Sequence, residues 1–148
     1  MKRFHFSLET LLSIRQQREQ DARLELAGIT SECNRLDEQL GVLARERTAS
    51  VSRGKDDFKE DMMRWYAYRE LYLQRLDRRI EEIQEDRAAL ELRREDAAAA
   101  YREAHREAFV LEKLREKRYA LYRRESAREE QRSIDDIAGS RYHSGTDL

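Results

Sequence analysis

The sequence predicts an all-α protein in which two long helices of unequal length form an antiparallel coiled-coil hairpin. Three observations lead there. The 148 residues include no proline, 41% are charged and only 8% are aromatic, a balance that suits long exposed helices better than a globular core. The stretch from Asp56 to Ala138 contains neither glycine nor proline, and as one helix it would run roughly 125 Å at 1.5 Å per residue. Finally, Ala22, Leu26, Ile29, Cys33, Leu36, Leu40 and Leu43 recur at alternating spacings of four and three, the seam of a left-handed coiled coil.

Helix 1 is expected over about 8–49. Ser7 is placed to cap it, Glu9 lies in the first turn where a carboxylate opposes the helix dipole, and Phe6 with Leu11 fits a hydrophobic staple. Extended backward, the seam reaches Leu12 and Leu8 but passes through Arg15 and Glu19, so it is polar there. Gly28 and Gly41 cost about 1 kcal/mol each against alanine without ending the helix, and either could mark a kink or close approach.

Periodicity is lost from Thr48 to Lys55, where Ser50, Ser52 and Gly54 suit a reversal at about 50–55. Asp57 and Glu60 then resemble a capping box for helix 2, expected over about 56–138. Its seam runs from Leu73 through Leu76, Ile80, Ile83, Arg87, Leu90, Arg94, Ala97, Tyr101, Ala104 and Ala108 to Leu111. Phe58, Met62, Trp65 and Tyr72 precede it on a register shifted as by a stutter. Neighbours such as Glu60 with Arg64, Glu91 with Arg94, Glu103 with Arg106 and Glu129 with Arg132 support the exposed face by a few tenths of a kcal/mol each.

A short reversal centred near Arg53 would set Leu43 opposite Met62 and Met63, Ile29 opposite Asp77 to Ile80, and Leu8 opposite Ala97 to Ala100. On this register helix 2 has no intrachain partner beyond about Tyr101, although Phe109, Leu111, Leu114, Tyr119, Leu121 and Tyr122 follow. Unpaired apolar residues of this kind point to a partner. The organisation expected is a single hairpin over 1–138, with a flexible tail at 139–148.

A net charge of −1 supplies no overall field toward nucleic acid or an anionic membrane. The basic start is not followed by the apolar run and cleavage site of a signal peptide, and no stretch approaches the ~20 apolar residues of a membrane span. A cytoplasmic protein is expected, and the lone Cys33 fits a reducing compartment. His5, His105 and His143 lack the spacing of metal ligands, the glycines do not form a phosphate loop, and paired carboxylates on a solvated helix read as surface charge. No metal, no cofactor and no enzymatic activity are expected.

Two features remain, each with two readings. Trp65, Tyr66, Tyr68 and Tyr72 are too dense for one helix face to bury, so they form either a docking surface or a satellite core near the tip. Residues Lys113 to Arg124 interleave bases with Leu114, Tyr119, Leu121 and Tyr122. That pattern reads as a basic amphipathic binding helix or as a solvated face. The acids that follow at Glu125, Glu129, Glu130, Asp135 and Asp136 favour a protein socket over nucleic acid.

The opening Phe4-His-Phe6-Ser-Leu8-Glu9-Thr-Leu11-Leu12-Ser-Ile14-Arg15 and the closing run from Tyr122 through Glu129-Glu130-Gln131 to Ile134-Asp135-Asp136-Ile137-Ala138 resemble the FliJ family of flagellar type III export proteins. The resemblance covers nearly the whole chain and implies a cytoplasmic stalk, similar in shape to the central shaft of rotary ATPases. In that family the paired hairpin ends associate with the export ATPase ring and the region toward the tip touches the export gate, a membrane protein. Members have also been regarded as general chaperones or escorts for substrate chaperones. Carried over, the ATPase contact involves Phe4, Phe6, Leu8 and Leu11 with Leu114, Arg118, Leu121 and Tyr122. The gate contact involves Gln39, Leu43, Tyr72 and Leu76, of which Leu43 and Leu76 also fall on the seam.

The resemblance thus implies a non-enzymatic component of the flagellar export apparatus, peripheral at the inner face of the cell membrane, linking ATPase to gate. A different class also fits the residues: a structural coiled coil that homodimerises through the helix 2 overhang.

Overall fold

A computed structural model describes residues 2–53 and 62–145. The described residues form two helices, α1 (Glu9–Ser52, 44 residues) and α2 (Met62–Ser144, 83 residues), which pack against each other in antiparallel fashion. The all-α hairpin of unequal helices is therefore observed. The expected capping box of Asp57 and Glu60, the seam residue Phe58, the Glu60–Arg64 pair and the Gly54–Lys55 part of the reversal lie outside the described residues.

α1 starts where the amide of Glu9 donates to the Phe6 carbonyl at 3.1 Å, and it runs through Gly28 and Gly41 without a break. A Cβ added at Gly28 would meet nothing within 4 Å, so neither a close approach nor a positive φ requires glycine there. Ser50 and Ser52, expected to close the helix, are inside it. The Ser52 hydroxyl donates back to the Thr48 carbonyl at 2.7 Å, which lets serine remain in a final helical turn. Arg69 Nη2 then donates to the Val51 carbonyl at 3.0 Å, satisfying an orphan group at the negative end of the helix dipole.

The chain divides into two compact units, Gln20–Arg102 and Met1–Glu19 with Glu103–Leu148. In the first, Ile29, Cys33 and Leu36 from α1 bury against Ile83, Leu90 and Ala97 from α2, with Leu26, Leu40 and Leu43 packed at the margin. These are the predicted seam positions of both helices. Each fully buried large aliphatic contributes about 1.5–3 kcal/mol. Arg87, a cation at a seam position, is half-buried: its Nε donates to Asp37 at 2.9 Å across the helix pair and its Nη1 donates to Glu91 at 2.7 Å. Arg94 also donates to Glu91. The hydrogen bonds from Arg94 and then Arg87 pull the Glu91 carboxyl down to about 2, and those from Glu91 and Asp37 raise the Arg87 guanidinium.

The register differs from the expected one. In this unit Arg47 meets Asp77, Arg87 meets Asp37 and Arg23 meets Tyr101, so the two numbers of each pair add to 124. A reversal at Arg53 would make them add to 106. Each α1 residue therefore meets a partner about 18 residues further along α2. Because 18 residues are about five turns, the slip presents the same face of α2 to α1. The alanines from Ala97 meet the middle of α1 at Ile29, not Leu8.

The other unit corrects the expected overhang. Residues beyond Tyr101 are not unpartnered: Phe6, Leu12 and Leu111 form a buried cluster with Phe4, Leu8 and Leu114 against it, and Ala108 is fully buried. Here too Glu19 meets His105 and Glu9 meets Arg115. Phe6 packs with Leu12, while Leu11, its expected staple partner, is exposed. At the far end α2 continues through Gly139 to Ser144, past the expected boundary at 138 and into the segment expected to be a flexible tail. Gly139 has no positive φ, so nothing in its backbone stops the helix.

Candidate protein-interaction sites

The first candidate site is built by residues 2–8, a short non-helical strap lying along α2 from Leu111 to Tyr122. Alternation drives it. Phe4, Phe6 and Leu8 turn toward α2, while Lys2, Arg3, His5 and Ser7 remain exposed. Phe6 is only 3% exposed and Leu111 5%. The Phe4 ring meets Tyr119 edge-on at 5.1 Å between centroids and Tyr122 at 5.4 Å. The Tyr122 hydroxyl donates to the Lys2 carbonyl at 2.9 Å, which fastens the strap at its start.

Guanidinium groups close the sides. Arg115 lies 5.7 Å from the Phe4 ring centre and its Nε donates to Glu9 at 2.9 Å. Arg118 lies 5.5 Å from the Phe6 ring centre and its Nη1 donates to Ser7 Oγ at 3.1 Å. A cation over an aromatic face is worth about 0.5–1 kcal/mol at such exposed sites, so these pairs hold the strap without locking it. The hydroxyl expected to cap α1 thus accepts from α2.

The residues nominated for an ATPase contact divide accordingly. Phe4, Phe6, Leu8, Leu114, Arg118 and Tyr122 come together, but they bind one another, with Phe6 as core. Leu11 and Leu121 face solvent, Leu121 at 55% exposure. Arg115 and Tyr119 belong to this cluster; both lie in the Lys113–Arg124 stretch read as a candidate binding helix, but neither is among the residues named for the ATPase contact. The signal for them was the phenylalanine pair, which needs rings and cations on whatever helix receives it.

The second candidate site is in the Gln20–Arg102 unit. Trp65 meets Tyr66 edge-on at 4.9 Å and carries the Arg69 guanidinium 5.2 Å from its ring centre. Trp65, Tyr68, Arg69 and Tyr72 line an open hollow with Ser50 and Arg53. Tyr66, Tyr68 and Tyr72 are exposed, so the aromatic group is a surface with Trp65 as its half-buried base. Of the gate nominees, Tyr72 lines this hollow, whereas Gln39 and Leu43 line a separate shallow groove with Val42, Arg79 and Ile83. Leu76 is buried core, 6% exposed, and offers a partner no surface. Arg69, which joins the α1 terminus to the tryptophan, had no sequence signal beyond its charge.

Among the described residues no group of three potential ligands could hold a metal ion, and no helix is long and apolar enough to cross a membrane. Cys33 is a buried free thiol on the seam. In comparisons with known proteins, the family described as "Flagellar FliJ protein" matches residues 4–146. No curated protein and no solved structure matches the chain.

Proposed function

Since the chain belongs to the FliJ family and is a flagellar export-related protein, we propose that it works as a non-enzymatic coiled-coil stalk, associating with the export ATPase ring through the unit that carries the strap and with the export gate through its aromatic hollow. The observation that carries this reading is the convergence of residues from both ends of the sequence: the strap and α2 residues 111–122 make one body from segments far apart in the chain. In this reading the surface offered to the ring is the outside of that body, led by Leu11 and Leu121. Phe4 and Phe6 support it from beneath. For the gate, Tyr72, Gln39 and Leu43 are the available contacts.

The mechanism is allosteric. An asymmetric helix pair inside a near-symmetric ring contacts the subunits unequally and biases their nucleotide states. An escort role for export chaperones, and a place at the inner face of the cell membrane, follow from the same apparatus. Mixing the purified protein with the export ATPase should promote hexamer assembly and raise ATP turnover, and Leu121→Ser should reduce both with the melting curve unchanged. No effect of the native chain on either quantity sinks the proposal. Sedimentation separates it from the structural alternative, which requires a concentration-dependent homodimer.

A further inference from the structure

The side of α2 turned away from the strap carries a pattern that its packing does not use. Arg106, Lys113, Lys117, Arg124 and Arg128 are all exposed. Val110 and Leu121, 57% and 55% exposed, complete the line. From 106 to 128 the spacings are 4, 3, 4, 4, 3, 4, an eleven-residue repeat in which Arg106, Lys117 and Arg128 are equivalent, as are Val110 and Leu121, and Lys113 and Arg124. At 100° per residue all these positions fall within about 40° of one line down the helix. Eleven residues make about three turns at 3.67 per turn, so the stripe runs almost straight for roughly 33 Å.

Between 106 and 128 no carboxylate shares the line. Arg106 pairs with Glu103 and Lys113 pairs with Glu116 at 3.2 Å, both exposed pairs three residues apart on the same helix. Exposed pairs of this kind are weak and readily exchanged for better partners. By contrast Arg115 and Arg118, on the strap side, are engaged with Glu9 and Phe4 and with Ser7 and Phe6. The bases of this stretch thus divide into two sets, one internal and one directed outward.

We propose that this stripe docks an acidic helix of a partner protein, packed alongside α2 with an eleven-residue repeat of its own. Its apolar residues would seat against Val110 and Leu121 and its carboxylates against the five cations. The narrowness of the stripe favours this occupant. Two apolar residues per 33 Å are too few to bury a helix in a bilayer interface, which needs a broad apolar face. They suffice as anchors in a helix pair whose flanks are charged. The inference does not depend on whether the partner is the export ATPase.

The test uses the full chain and two synthetic helical peptides of identical composition. One places leucine and glutamate at eleven-residue spacing to match the stripe, the other at seven-residue spacing. Fluorescence anisotropy should show the eleven-residue peptide binding at least tenfold tighter, with affinity falling severalfold between 50 and 200 mM salt. Lys117→Glu with Arg124→Glu should weaken it twentyfold or more. The control pair Arg75→Glu and Arg78→Glu, equal in charge but off the stripe, should change it less than threefold. Equal binding of the two peptides, or equal loss in the control pair, overturns the proposal. So does tighter binding of phosphatidylglycerol vesicles or duplex DNA that Lys117→Glu with Arg124→Glu abolishes, or a homodimer that the same change dissolves.

Discussion

The two units are both made from α1 and α2, yet they are held by different chemistry. In Gln20–Arg102 the helices meet through aliphatic residues, Cys33 and Ala97, with Arg87 inserted among them and neutralised by Asp37 and Glu91. In the unit of Met1–Glu19 and Glu103–Leu148 the contact shifts to rings and cations, and α1 gives way to a non-helical strap. The first is a seam formed along two continuous helices. The second is a clasp, closed by a few side chains on a segment without helical hydrogen bonds of its own, and so it should open at lower free energy.

Substitutions should separate the seam from the clasp. Ile83→Ala, at a site 2% exposed among Cys33 and Leu36, should cost about 4 kcal/mol and lower the urea midpoint of the seam unit. Phe6→Ala should cost about 3 kcal/mol, but locally: hydrogen exchange should accelerate over 111–122 while amides of residues 29–36 and 83–97 keep their protection. Equal acceleration in both regions would show that clasp and seam open together.

Acid should weaken the seam through Glu91. Its carboxyl is depressed to about 2 from an ordinary 4.5 by Arg94 and Arg87, so its contribution is complete above pH 4.5 and is lost as pH falls toward 2. Thermal midpoints of the native chain should fall across that interval, and Glu91→Gln should show a shallower fall. A smaller gain comes from Gly28→Ala. With open space at the Cβ position and a helical backbone, alanine should stabilise the seam by up to about 1 kcal/mol, read as a raised midpoint in the same melt.

The seam was legible from sequence because burial repeats with the helix. Every position predicted from Leu73 to Leu111 is buried or half-buried in the structure. The register was not legible for the same reason. A slip of about five turns presents the same α2 face to α1, so apolar spacing scores both alignments alike. The pairs that distinguish them, Arg87 with Asp37 and Arg47 with Asp77, are charged, and apolar spacing places Arg87 on the seam without naming its partner. Ser50 and Ser52 fall inside α1 because their hydroxyls can serve a helix end or, as Ser52 does, bond back within the helix. The clasp was half legible: Phe4, Phe6, Leu114 and Tyr122 were identified as a functional group. The grouping comes from the family resemblance, whereas the shorter register leaves Leu114 and Tyr122 without an intrachain partner.

The central claim is that the strap and α2 residues 111–122 form one body, and thiol cross-linking tests it most directly. In a Cys33→Ser background, Ser7→Cys is combined either with Arg118→Cys or with Ala99→Cys, the latter being the partner that a reversal at Arg53 would require. A short bismaleimide should link the Ser7→Cys, Arg118→Cys chain within one molecule in high yield and leave the Ala99→Cys chain unlinked. Linking through Ala99→Cys, with none through Arg118→Cys, would contradict both the register and the clasp.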